Sequence, residues 1–138
     1  MAHWLFKSEP SAWSWDDQVE AGPKGTQWTG VRNHSAKLNL MAMKTGERGF
    51  FYHSNEGKAV VGIVEVTKEY YPDPTDKSGK FGMVDLKAVE PLKTPVTLDQ
   101  AKAEPKLAKM ILINNSRLSV QPVTDEEYAL VRKMGGLK

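Results

Sequence analysis

The stretch RGFFYHSNEGKAVVGIVEVTKE, residues 48–69, decides the reading of the fold. Arg48 to His53 and Ala59 to Glu69 are rich in aromatic and β-branched residues, and Ser54-Asn55-Glu56-Gly57 between them is turn chemistry, so the segment predicts strand–turn–strand. In the second strand Val60, Gly62, Val64 and Val66 fall on one face, and Val61 and Ile63 share the other with Glu65 and Thr67. Apolar residues on both faces predict burial along most of its length. In the first strand, alternation puts Phe51 and His53 on one face and Phe50, Tyr52 and Ser54 on the other.

Outward from this hairpin the chain reads as short elements. Ala2 to Lys7 is a strand with Trp4 and Phe6 on its inward face. Ser11 to Glu20 reads as a helix with Ser14 as N-cap, and Ala21 to Gly25 as a turn. Asn33 to Met43 reads as a helix capped by Asn33, with Leu38, Met41 and Ala42 as its apolar stripe. Tyr70 to Lys80 is a loop and Phe81 to Val89 a strand. Thr97-Leu98-Asp99-Gln100 and Thr124-Asp125-Glu126-Glu127 are capping boxes that open helices. Leu118 to Val123 alternates like a half-buried strand. Five or six strands and four short helices without regular alternation exclude a doubly wound parallel sheet. They predict an α+β fold: one domain over residues 1–138, a small mixed β-barrel with peripheral helices.

Composition limits the function. The 138 residues are 40% hydrophobic and 26% charged, ordinary for one globular domain. The chain has no cysteine, which removes disulfides, thiolate metal sites and cysteine nucleophiles. No signal-like or bilayer-length apolar run is present, so we expect a soluble, cytoplasmic monomer with no membrane partner. The net charge of +2 is too mild to indicate nucleic acid by itself. Residues 31–58 carry five basic and two acidic groups and residues 92–138 eight and five, so each stretch is net +3.

Enzymatic patterns are absent. His3, His34 and His53 lie on different elements without metal-ligand spacing, and no metal or cofactor is expected. His53 and Ser54 are strand neighbours that point to opposite faces, so they form no dyad. Asp16-Asp17 and Glu126-Glu127 sit at helix starts, where the dipole explains them.

The aromatic residues are more telling. All four tryptophans, Trp4, Trp13, Trp15 and Trp28, fall in the first 28 residues. Trp28 follows a Gly/Pro turn and precedes the polar run Arg32-Asn33-His34. A ring beside amide and guanidinium groups suits base recognition, stacking on the base while polar groups read its edge. Lys7-Ser8-Glu9, ended by Pro10, places donors and acceptors at a strand end, the usual rim of a barrel pocket. The local chemistry fits a core or lid tryptophan as well.

WLFKSEP, WTGVRN, FFYHS, VVGIVEV and RLSVQPV occur in this order, and together they resemble the EVE family over essentially the whole chain. The resemblance implies a PUA-like β-barrel related to YTH and ASCH domains, the YTH relatives holding N6-methyladenine in an aromatic cage. It implies a reader of a modified base: methylated or hydroxymethylated cytosine, or N6-methyladenine. By position, Trp28 matches the stacking tryptophan and Lys7, Ser8 and Glu9 the pocket rim. Asn33 matches the amide of the tryptophan-to-asparagine motif, and Tyr52, His53 and Ser54 match the bordering strand. Arg117 and Ser119 match the late arginine–leucine–serine segment, and Phe81 stands where a tryptophan often closes the cage. Thr29 replaces the family's usual Asp, which removes one acceptor, and His34 replaces its usual tyrosine or similar ring. The expected partner is DNA or RNA carrying a modified base. The alternatives are a PUA-type structured-RNA binder indifferent to modification, or a binder of a small molecule such as a methylated amine.

Overall fold

The computed structural model describes residues 2–115 and 117–137. The elements are β1 (His3–Ser8), α1 (Trp15–Glu20), β2 (Thr26–Gln27), α2 (His34–Ala42), β3 (Arg48–His53), β4 (Ala59–Pro72), β5 (Gly82–Thr97), α3 (Leu98–Ala103), a 3₁₀ turn at Pro105–Leu107, α4 (Ile111–Asn114), β6 (Val120–Val123) and α5 (Asp125–Met134). Local signals set most boundaries. Ser14, Thr97 and Thr124 each cap a helix in a reciprocal capping box, and Asn33 caps α2. No helix of the described residues is long and apolar enough to cross a membrane.

The strands form one six-stranded sheet in the order β2-β5-β4-β3-β1-β6. Among the described residues β1 and β3 pair in parallel, and the other pairs are antiparallel. This is the α+β arrangement of six mixed strands with peripheral short helices that the sequence predicts; the predicted β-barrel is left open among the described residues, its hydrogen-bonded ladder ending at β2 and β6.

Strand alternation divides the core into two clusters. Trp4, Phe6 and Phe51 join Trp15, Trp28, Val64 and Val66 in one; Leu5, Phe50 and Tyr52 join Val60, Ile63 and Leu112 in the other. The expected face of Val60, Gly62, Val64 and Val66 is broken by a bulge. Phe51 pairs with Gly62 but Tyr52 pairs with Val60, so Val61 is the extra residue. Val60 therefore turns to the second cluster, while Val61 packs on the first. Gly62 must lack a side chain, because a Cβ there would overlap the Trp15 ring.

Three further expectations are corrected. Strand β5 does not stop at Val89 but continues through Pro91 and Pro95. The register with β4 jumps from Gly62–Pro91 to Val60–Val96, and prolines are tolerated at such irregularities. The loop after β4 begins only after Pro72, not at Tyr70. In α2 the buried residues are Ala36 and Leu40, followed by Met43, whereas Leu38 and Met41 are 52% and 50% exposed. Positions 36, 40 and 43 follow helical spacing as well as the predicted stripe does, and packing against the sheet selects them.

Candidate nucleic-acid interface

A cavity of about 600 Å³ opens where β1 ends and β2 begins. That is within the ordinary range for a small-ligand site. Its wall joins Lys7, Ser8 and Glu9 to Trp13, to the run Thr26–Arg32 and to Ser119. Of the residues named from the sequence, it gathers Trp28, Lys7, Ser8, Glu9 and Ser119.

Trp28 reaches the cavity by way of β2. Thr26 and Gln27 pair with Leu86 and Asp85, and the Trp28 N–H extends that contact by donating to the Val84 carbonyl at 2.9 Å. The indole is 8% exposed and fixed edge-on against Phe6 and Phe51, with ring centroids 5.6 and 5.7 Å away. Such edge contacts hold a ring in one orientation.

The loop after Trp28 is tied down by Asp73. Its carboxylate accepts from the Gly30 N–H at 2.9 Å, from Arg32 Nη1 at 3.1 Å, and from the Thr75 N–H and hydroxyl. Burial alone would push this carboxyl up, but those hydrogen bonds outweigh it and hold the pKa down at about 2. Gly30 needs its φ of 85° for the turn.

Trp13 is the second aromatic wall, and its position depends on Gln18. The Trp13 Nε1–H donates to Gln18 Oε1 at 2.9 Å, and Gln18 Nε2 donates to the Leu86 carbonyl at 3.0 Å. Gln18 itself is fully buried. The Ser8 hydroxyl donates to the Trp13 carbonyl at 2.6 Å. Ser119 is joined to the same strand end, its carbonyl accepting the Lys7 N–H at 2.9 Å. Glu9 is exposed on the wall as a carboxylate acceptor, and burial lowers the pKa of Lys7.

The other expected site residues lie outside this wall. Asn33 is occupied as a cap, its Oδ1 accepting the Ala36 N–H at 2.9 Å. Tyr52 faces the second core cluster, and with Ser54 it lines a separate hollow of about 190 Å³. The bordering strand reaches the cavity only from behind: His53 Nε2 accepts the Trp15 N–H at 3.0 Å, bracing the start of α1. Burial lowers the His53 pKa against an opposing pull from Asp16. Phe81 sits outside the wall, beneath the Arg32 guanidinium at 6.0 Å and the Lys37 ammonium at 5.9 Å. Arg117 is exposed and does not line the cavity.

Sequence reading missed Gln18 and Asp73, and gave Trp13 no site role. The capping box at Ser14 marks the start of α1 and so puts Gln18 on that helix, but its partners are distant. Asp73 lies 43 residues from the loop that it fixes.

The EVE domain profile matches residues 2–134. Human thymocyte nuclear protein 1 is 36% identical over 163 residues, covering 94% of this chain and 72% of the relative. A Rhodopseudomonas palustris protein solved by NMR superposes with a TM-score of 0.93 at 67% identity, covering 99% of this chain and 94% of that one. The crystal structure of the human THYN1 protein in complex with DNA containing 5-methylcytosine superposes with a TM-score of 0.90 at 34% identity, covering 100% of this chain and 99% of that one.

Proposed function

Because this chain belongs to the EVE domain family, we propose that it is a non-catalytic nucleic-acid-binding domain that holds a modified base, 5-methylcytosine in DNA foremost, in the cavity between Trp13 and Trp28. The observation that carries this reading is the cavity itself. Two tryptophans, each fixed through its own contacts, share a wall with the acceptor Glu9 and the polar groups of Thr29 and Arg32.

The chemistry suits cytosine. A base drawn out of its stack is read on its Watson–Crick edge and held by aromatic faces. The exocyclic amino group of cytosine is a donor that a Glu carboxylate accepts well. Ala12, Val31 and the tryptophan rings supply apolar surface for a 5-methyl group. Burying one methyl contributes about 0.8 kcal/mol, and stacking contributes about 1–3 kcal/mol. Discrimination between cytosine and 5-methylcytosine should therefore be roughly fourfold from the methyl alone. The human relative's complex with DNA containing 5-methylcytosine supports the same choice.

The test is titration of single-stranded DNA carrying one cytosine, 5-methylcytosine, 5-hydroxymethylcytosine or N6-methyladenine against the protein and its Trp28→Ala variant. Tighter binding of one modified strand, lost in the variant, is the expected result. Equal binding of all strands by both proteins would replace this reading with a nucleic-acid binder indifferent to modification. Binding of none would remove it.

A further inference from the structure

The base cavity is one of three hollows that share wall residues. Lys7 lines both it and the 190 Å³ hollow behind it. That hollow shares Asn55, Lys58 and Leu98 with a third, of about 430 Å³, whose wall adds Lys102. The hollows thus adjoin in series through shared wall residues, a furrow in three parts with a lysine in the wall of each.

The two basic stretches of the sequence meet here. Lys58 ends residues 31–58 and Lys102 belongs to residues 92–138, each stretch net +3. Both lysines are exposed. The chain is fixed where it presents Lys58: the Lys58 carbonyl accepts the Leu98 N–H at 2.8 Å, and its φ of 21° lies in the region that side chains rarely adopt. Lys7, Lys58 and Lys102 line the two outer hollows, and the acidic residue among the lining residues of these two hollows is Asp99. Asp99 lies in the first turn of α3, where the dipole accounts for it.

We propose that this furrow binds the phosphodiester backbone next to the held base, with Lys7 at the exit of the cavity and Lys58 and Lys102 beyond it. The proposal rests on the base-binding reading above. A base seated in a cavity is still attached to its strand, and that strand must leave across the surface. Lysine meets phosphate as a point charge without the fixed geometry that reads bases, so the furrow adds affinity without sequence preference.

The test compares Lys58→Gln/Lys102→Gln with a control of equal charge change, Lys109→Gln/Lys133→Gln, whose positions line none of the three hollows. Each protein is titrated with short single-stranded DNA containing 5-methylcytosine across a salt series, and separately with 5-methyl-2′-deoxycytidine. Each lost phosphate contact flattens the salt slope by about 0.7, so the furrow variant should lose about 1.4 of slope. At about 0.1 M salt that is roughly a 25-fold loss of strand affinity. The control should move much less, and nucleoside binding should be unchanged in both. A slope unchanged in the furrow variant, or reduced equally in the control, would overturn the furrow and leave the base cavity standing. Failure of every protein to bind the nucleoside would instead count against the base cavity, while the slopes would still decide the furrow.

Discussion

Replacing Asp73 with Asn should destabilise the protein by about 2 kcal/mol near neutral pH. Asp73 is 2% exposed and serves the Gly30 N–H, the Arg32 guanidinium and both donors of Thr75. Its pKa falls from 3.8 to about 2, and at about 1.36 kcal/mol per unit the charged form gains roughly 2 kcal/mol on folding. Because the folded pKa is depressed, that stability is present in full above the unfolded pKa, near pH 4, and is lost as pH falls through the folded value near 2. Asn keeps the shape of the side chain but not its charge. Urea unfolding of both proteins from about pH 7 down to about pH 2 reads the difference directly. It should hold near 2 kcal/mol down to about pH 4 and shrink below that. The same variant should loosen the loop after Trp28 and weaken DNA binding. Equal stability near neutral pH, or a difference that does not narrow at acid pH, would refute the claim that this carboxylate fixes the loop.

Gln18→Met should cost about 1–3 kcal/mol by leaving the Leu86 carbonyl and the Trp13 Nε1–H without their buried partner, and it should change the near-ultraviolet circular dichroism of the indole. Leu40→Ala should cost about 2–5 kcal/mol in urea unfolding, whereas Leu38→Ala, half exposed on the same helix, should cost less than about 0.5. His53 has its pKa lowered by burial and accepts the Trp15 N–H, so protonation opposes folding. Stability contributed by neutral His53 is present above the unfolded histidine pKa, about 6.5, and is lost as pH falls below it, so the wild type should weaken over that range more than His53→Gln.

What the sequence made legible was local. The hydroxyl or amide side chains before α1, α2, α3 and α5 announced each helix start, because a cap is satisfied within three residues. Alternation in residues 48–53 correctly separated Phe51 from Phe50 and Tyr52. The same alternation could not say that the Tyr52 face belongs to a different hollow, because that depends on what covers each side of the sheet. In α2, two interleaved apolar stripes compete, and only the sheet beneath chooses Leu40 over Leu38. The bulge at Val61 leaves no mark in a run of valines. Asp73 and Gln18 act across 43 and 68 residues to fix the cavity's walls, so their roles appear only in the folded chain.

The most direct measurement is an amide NMR titration of the protein with single-stranded DNA carrying one 5-methylcytosine. Shifts concentrated in Lys7–Glu9, the Trp13 indole N–H and Thr26–Arg32, larger for the methylated strand than for its unmethylated twin, are the result this account predicts. Those signals unmoved, with shifts clustered instead around the separate hollow of about 460 Å³ beside Val19 and Pro91, would contradict it.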